Sequence, residues 1–126
     1  MIWKPTVEQI MLLHKKMARY TGGSEGVRDS GLIQSGLLRA DAGFGDYELY
    51  PAAIEKAAAV CCGLIGNHGF VDGNKRIGVA AMLLMLRMNG VAIAYTQQEL
   101  TEFGLKAAQG LLDVEACVEW ICAHRI

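Results

Sequence analysis

Nine consecutive residues in the middle of the chain, HGFVDGNKR, bring together side chains that could carry out chemistry. They include an imidazole at His68, a carboxylate at Asp72 and two cations at Lys75 and Arg76. An imidazole serves as a general base near neutral pH, a carboxylate binds a hard cation, and paired cations hold phosphate. The stretch is therefore a candidate site for phosphoryl or nucleotidyl transfer.

The position of this stretch relative to the neighbouring elements supports that interpretation. A long apolar run, Ile77 to Leu86, begins directly after it and predicts a helix that has Asp72 as its N-cap. The backbone N–H groups of the first turn have no partner within such a helix. Lys75 and Arg76 would oppose the helix macrodipole there, at a cost of roughly 0.3–1 kcal/mol each. An anion bound at the helix start would remove the conflict.

The open backbone at Gly73 and the following turn complete a site suited to pyrophosphate. Each feature also has an ordinary structural explanation: His68 could cap the preceding helix, Asp72 could be only an N-cap, and Lys75 and Arg76 could be solvated. Taken singly, those explanations are the better ones. Their occurrence together within nine residues favours a functional site.

The stretch resembles the core signature of the Fic/Doc superfamily, H-x-F-x-[D/E]-[A/G]-N-[G/K]-R. It matches that signature at His68, Phe70, Asp72, Gly73, Asn74, Lys75 and Arg76. Within the superfamily it is similar to the death-on-curing branch, because Lys75 and Val79 stand where AMP-transferring members usually carry glycine and a second arginine. The segment from Gly26 to Leu32 also resembles the lead-in of that branch.

The resemblance implies an enzyme that transfers the γ-phosphate of ATP to a threonine of elongation factor Tu and so stops translation. It implies that His68 is the general base and that Asp72 holds Mg²⁺. The Gly73 backbone, Asn74, Lys75 and Arg76 would hold the phosphates, and Phe70 would anchor the loop without touching the reaction.

The resemblance also implies a partner, a cognate antitoxin whose disordered tail folds on binding. Two other functions stay open at this point. The same motif serves Fic-type AMP transferases, and an inactive helical module could merely bind a partner.

Composition limits the class of protein. The chain has 126 residues, enough for one domain, 1–126, and a formal net charge of −1 with no long basic cluster, which argues against nucleic acid as a partner. The uncharged part of the central helix is well short of the ~20 residues needed to cross a bilayer. No signal peptide is evident at the start, so we expect a cytoplasmic protein. The four cysteines are interpreted as packing residues.

Hydrophobic periodicity and capping residues predict an all-α bundle of about six helices with one short flap loop. The resemblance implies that the glycine-rich aromatic loop from Asp41 to Tyr50 is a flap that holds a target peptide by strand addition. Alternatively, Phe44 and Tyr47 merely cover the edge of the core. His14 lies near the apolar face of the first helix and is assigned no chemistry. The predicted helices run from a Thr6 cap to Tyr20, from Asp29 or Ser30 to Ala40, from Pro51 at N1 to Gly66, from Gly73 to Asn89, from a Thr96 cap to Gly110, and from an Asp113 cap to His124–Arg125.

Overall fold

The computed structural model describes all residues, 1–126, and confirms the all-α bundle. Six α-helices, a single 3₁₀ turn at Arg39–Asp41 and one small antiparallel hairpin make up the fold. None of the helices is both long enough and apolar enough to cross a membrane. The elements are α1 Val7–Thr21, α2 Ser30–Leu38, β1 Gly43–Phe44, β2 Tyr47–Glu48, α3 Ala53–Asn67, α4 Asn74–Met88, α5 Gln97–Ala108 and α6 Val114–Ala123.

Side-chain caps fix the starts of four helices as the sequence predicts. The Thr6 and Thr96 hydroxyls each accept a hydrogen bond from the backbone N–H three residues later, and both belong to full capping boxes. Asp29 caps α2, and Asp113 caps α6 with 2.7 Å between its Oδ1 and the Ala116 N–H nitrogen. These caps satisfy backbone donors that would otherwise have no partner within the helix.

The third helix begins later than predicted, so the placement of Pro51 at N1 is wrong. Ala52 is the N-cap, with an extended backbone, and the helix starts at Ala53. The Glu55 carboxylate reaches back to accept the Ala52 N–H at 3.1 Å, which sets the first turn at Ala53 and leaves Pro51 outside it.

The core lies around the antiparallel pair α3 and α4. Fully buried side chains from every helix meet there, including Ile10, Val60, Ile77, Met82 and Phe103. On the other face of α3, helix α2 approaches until backbone touches backbone. A Cβ built at Gly63 would lie 2.9 Å from the Gly36 Cα, closer than real Cβ contacts come. Helix α3 is thus held on both faces.

Three of the four cysteines are packing residues, as predicted. Cys61, Cys62 and Cys117 are buried free thiols, whereas Cys122 is exposed, so the prediction is wrong for that residue. Cys122 lies on the outer side of the last helix, away from the Cys117 and Ile121 face that packs inward. A hydrogen bond with Cys117, 3.9 Å between the two Sγ atoms, and burial both raise the pKa of the Cys62 thiol.

The predicted flap is a short hairpin tied to the start of α3. Lys56 is 6 % exposed, and its ammonium group donates to the Ala40 carbonyl at 2.9 Å and to the Glu48 carboxylate at 3.2 Å. The Phe44 and Tyr47 rings pair at the hairpin with centroids 5.6 Å apart and are exposed. They do not cover the core edge, so that alternative is wrong.

Candidate active site

The loop between α3 and α4 enters α4 through Gly73, not through Asp72. Gly73 is the N-cap, with a left-handed backbone (φ 77°, ψ 19°), so the prediction of Asp72 as N-cap is wrong. With Gly73 turned this way, the Asp72 Oδ1 accepts the Gly73 N–H at 2.8 Å and does not reach into the first turn of the helix. The N–H groups of that turn are left to other acceptors.

Asn74 shapes this loop with its side chain. Its Oδ1 accepts the Phe70 N–H and its Nδ2 donates to the Phe70 carbonyl, both at 3.0 Å. Both ends of the amide are therefore engaged in closing the loop from Phe70 to Asn74. The expected contact of Asn74 with phosphate stays a prediction.

His68, at the end of α3, is exposed to solvent. His68 is the C-cap of α3 and is the one non-glycine residue with a positive φ (52°). The Arg28 guanidinium donates to the carbonyls of His68 and Asn67 at 2.7 and 3.3 Å. This unusual backbone turns the imidazole out of the bundle, toward the start of α4.

Lys75 and Arg76 are exposed in the first turn of α4, and neither forms an ion pair. Arg76 makes one neutral contact, from Nη1 to the Thr21 hydroxyl at 3.2 Å. An open cleft of about 280 Å³ lies over these side chains, lined by His68 and residues 71–76. Unpaired cations and backbone donors at a helix start form an anion site, so the arrangement is suited to phosphate beside an exposed imidazole.

The segment that precedes α2 holds the loop from outside. It pairs with the loop in the manner of an antiparallel strand: Val71 N–H donates to the Gly26 carbonyl at 3.0 Å, and Arg28 N–H donates to the Gly69 carbonyl at 2.8 Å. Phe70 between them is 2 % exposed and belongs to the core, as its predicted role as an anchor requires. The loop is thus fixed on both sides of Phe70.

One residue of the site was missed by sequence reasoning. His14 of α1 is buried beneath the loop, with its ring stacked on Phe70 at a centroid distance of 3.7 Å and its Nε2 2.7 Å from the Asp72 carbonyl oxygen. Its spacing of four residues from Ile10 and from Ala18 predicts burial. Nothing in the spacing points to Asp72, which is 58 residues away.

The carboxylate of Asp72 suits a magnesium ion that arrives with a nucleotide. No group of three or more His, Cys, Asp or Glu side chains is close enough to form a complete metal cage. Mg²⁺ usually keeps several waters and binds one or two carboxylates together with substrate phosphates. Asp72 beside an anion site supplies that combination, so the residues fit the ion.

Comparison with known proteins places the chain in a family. The Fic/DOC family model matches residues 4–86, which include the whole loop and most of α4. "Toxin Doc" of Mycolicibacterium smegmatis is 37 % identical over 92 residues, covering 73 % of this chain and 66 % of that protein. "Protein kinase doc" of Escherichia phage P1 is 30 % identical over 112 residues, covering 89 % of this chain and 87 % of that protein. The chain belongs to the Fic/DOC family, in its death-on-curing branch.

Proposed function

We propose that the chain is a toxin that uses ATP to phosphorylate a hydroxyl group of a translation factor, elongation factor Tu by resemblance, and so arrests translation. One observation carries the proposal. An exposed imidazole, His68, borders the same cleft as the cationic helix start of Lys75 and Arg76, and neither cation forms a salt bridge. A relative carrying the name "Protein kinase doc" adds support for phosphate transfer over other chemistry.

The chemistry follows from the positions of these groups. The γ-phosphate would rest on the N–H groups and the two cations at the start of α4, which stabilise the charge on the transferred group. The hydroxyl oxygen of the target attacks γ-phosphorus as its proton passes to the His68 imidazole. The bond from γ-phosphorus to the β–γ bridging oxygen breaks, and ADP leaves. Asp72 would hold Mg²⁺, which neutralises phosphate oxygens.

The hairpin offers a way to hold the target. The outward rings of Phe44 and Tyr47 and a two-residue strand edge at each side could take an extended peptide by strand addition. We also propose a cognate antitoxin as partner, with a disordered tail that folds onto the toxin, and a cytoplasmic location where such a target is found. These proposals rest on the family and on the site's chemistry.

Labelled nucleotides test the reaction directly. The purified chain is incubated with Mg²⁺, elongation factor Tu and ATP labelled on either the α- or the γ-phosphate. We expect label on the target only from γ-labelled ATP, and none with the His68→Asn variant. Label from α-labelled ATP would instead identify an AMP transferase. Failure of any nucleotide to bind in the presence of Mg²⁺ would identify a binding module without activity.

A bacterial lysate in place of the purified factor tests the target separately. We expect one principal γ-labelled band at the mass of elongation factor Tu. A principal band elsewhere would keep the kinase assignment and overturn the assignment of the target.

A further inference from the structure

His14 is a polar residue in an apolar place, and its one hydrogen bond goes to the candidate active site. The side chain is 3 % exposed, and its Nδ1 is buried without a partner. Its Nε2 lies 2.7 Å from the Asp72 carbonyl oxygen. A carbonyl oxygen only accepts, so the Nε2 atom carries the proton and donates it.

Packing alone does not account for a histidine at this position. The ring stacks on Phe70 with an interplanar angle of 11°, a contact that a phenylalanine would also make. Burying an imidazole with one nitrogen unpaired costs free energy that a phenyl ring avoids. The distinguishing property of His14 is therefore the bond from Nε2 to Asp72.

That bond acts on the Asp72 carboxylate through the backbone. The Asp72 carbonyl and the Gly73 N–H belong to one planar peptide group, so holding the oxygen also sets the direction of the N–H. The Gly73 N–H donates to the Asp72 Oδ1 at 2.8 Å. The bond from His14 and the bond to the carboxylate therefore act on the same rigid plane. On the other side, Gly23 leaves room for the carboxylate group: a Cβ there would come within 3.0 Å of Asp72 Oδ2.

We propose that His14 is a positioning residue that orients the Asp72 carboxylate toward a divalent cation carried by the nucleotide. The inference rests on the proposed function in so far as that cation is Mg²⁺ bound to ATP. His14 itself touches neither nucleotide nor target. Outer residues that orient a metal-binding group typically change metal affinity by about 10–100-fold when they are replaced.

Three substitutions separate the hydrogen bond from the packing. His14→Phe keeps the stack and removes the donor. His14→Gln places an amide nitrogen as many bonds from Cβ as Nε2 is. His14→Asn places its amide nitrogen one bond short, where Nδ1 lies. Calorimetry with and without Mg²⁺ gives the factor by which Mg²⁺ strengthens nucleotide binding. We expect His14→Phe and His14→Asn to reduce that factor by about 10–100-fold. His14→Gln should recover most of the loss.

Hydrogen exchange of the Gly73 amide supplies a readout that needs neither nucleotide nor activity. In the nucleotide-free protein we expect that amide to exchange faster in His14→Phe and His14→Asn than in the wild type and in His14→Gln. In kinetics, kcat should fall while KM for the protein target stays unchanged. Thermal unfolding identifies any variant that does not fold. If His14→Phe does not fold, the comparison of His14→Gln with His14→Asn tests the inference.

The outcomes distinguish this inference from the proposed function. A folded His14→Phe protein with wild-type exchange at Gly73 and wild-type Mg²⁺ dependence overturns the positioning inference and leaves the kinase proposal standing. A wild-type protein that transfers no phosphate overturns the kinase proposal. Faster exchange at Gly73 in His14→Phe, reversed in His14→Gln, would still support the link from His14 to the loop.

Discussion

The Arg28 guanidinium donates to the backbone carbonyl of His68, with 2.7 Å between Arg28 Nε and the carbonyl oxygen. The same side chain reaches the Asn67 carbonyl through Nη2 at 3.3 Å. These carbonyls lie at the C-terminal end of α3, where the helix carries partial negative charge that a cation stabilises. Arg28 therefore supports the left-handed backbone that turns the His68 imidazole into the cleft.

Removal of this support should impair catalysis more than folding. We expect Arg28→Ala to lower kcat for phosphate transfer about 10-fold or more, because the base is no longer held in position. Because the pair is exposed, the free energy of unfolding should fall by only about 1 kcal/mol. Arg19→Ala is the matched control, since Arg19 pairs on the surface with Glu25. Equal kcat in the two variants would refute the argument.

The His68 backbone allows a catalytic change to be separated from a conformational one. His68→Asn should abolish transfer and growth arrest yet keep the stability of the wild type, because asparagine tolerates the left-handed region. His68→Ala should be equally inactive and less stable than His68→Asn by about 1 kcal/mol. Chemical denaturation measures the difference, and growth at matched expression measures toxicity. Persistent toxicity in both variants would exclude His68 as the base.

Nucleotide binding should depend on Arg76. Replacement by alanine would remove the two-pronged phosphate contact that we propose for Arg76, so we expect the Kd for ATP with Mg²⁺ to rise by about 10-fold or more. Arg76→Lys should recover only part of it, since an ammonium group lacks the planar fork. Arg87→Ala is the control, because Arg87 is exposed near the opposite end of the same helix. Calorimetry that gives one affinity for all four proteins would contradict the phosphate clamp.

Stability should vary with pH through a pair of side chains that do not line the cleft, His124 and Glu99. His124 Nδ1 faces the Trp120 carbonyl at 2.7 Å, and its Nε2 faces the Glu99 carboxylate at 2.6 Å. Both nitrogens donate when the ring is protonated. The hydrogen bond to the Trp120 carbonyl, and to a smaller extent the bond to Glu99, therefore raise the pKa of His124. Hydrogen bonds from the Thr96 backbone and from His124 lower the pKa of Glu99.

The signs define a window for this pair. His124 contributes fully to the free energy of unfolding below its ordinary pKa of 6.5, and this contribution is lost as pH rises through the raised pKa. Glu99 contributes fully to the free energy of unfolding above its ordinary pKa of 4.5, and this contribution is lost as pH falls through the lowered pKa. Thermal unfolding should show the largest gap between wild type and Glu99→Gln from pH 4.5 to 6.5. Glu102→Gln is the control, because it also removes a carboxylate from α5 and leaves the pair of His124 and Glu99 in place.

The contact between α2 and α3 predicts opposite effects of one substitution at two glycines. Gly63→Ala places a Cβ against the Gly36 backbone and should lower the free energy of unfolding by about 1–3 kcal/mol. Gly66→Ala, three residues on, meets nothing within 4 Å and should raise it by up to about 1 kcal/mol. Denaturant titration of the two variants checks the prediction. A stable Gly63→Ala protein would mean that the helices do not touch.

The sequence predicts the helices well because their signals are local. Thr6, Thr96 and Asp113 cap helices through residues three positions away, and apolar spacing indicates which face is buried. The site is predictable in composition and less so in geometry. Gly73 displaces Asp72 as N-cap through a backbone angle that the residue pattern does not reveal.

Contacts between residues far apart in the sequence explain why the sequence did not predict the contacts of His14 and Arg28. The role of His14 depends on a carbonyl 58 residues away, and that of Arg28 depends on the carbonyl of His68, 40 residues away. A backbone acceptor leaves no signal in the sequence, since every residue carries the same carbonyl. The side chain of Asn74 is likewise occupied by the backbone of Phe70.

Helix α3 carries the anchor of the hairpin near one end, and at the other end lies the imidazole of His68, which we propose as the general base. Lys56, which donates hydrogen bonds to Glu48 and Ala40, is 12 residues from His68, a span of about 18 Å along a helix. A peptide docked on the hairpin would therefore present its hydroxyl at a fixed reach from the base. The length of α3 would then set the distance between the docked segment of the peptide and the His68 imidazole. The choice of phosphorylated residue would depend on its distance along the peptide from that segment.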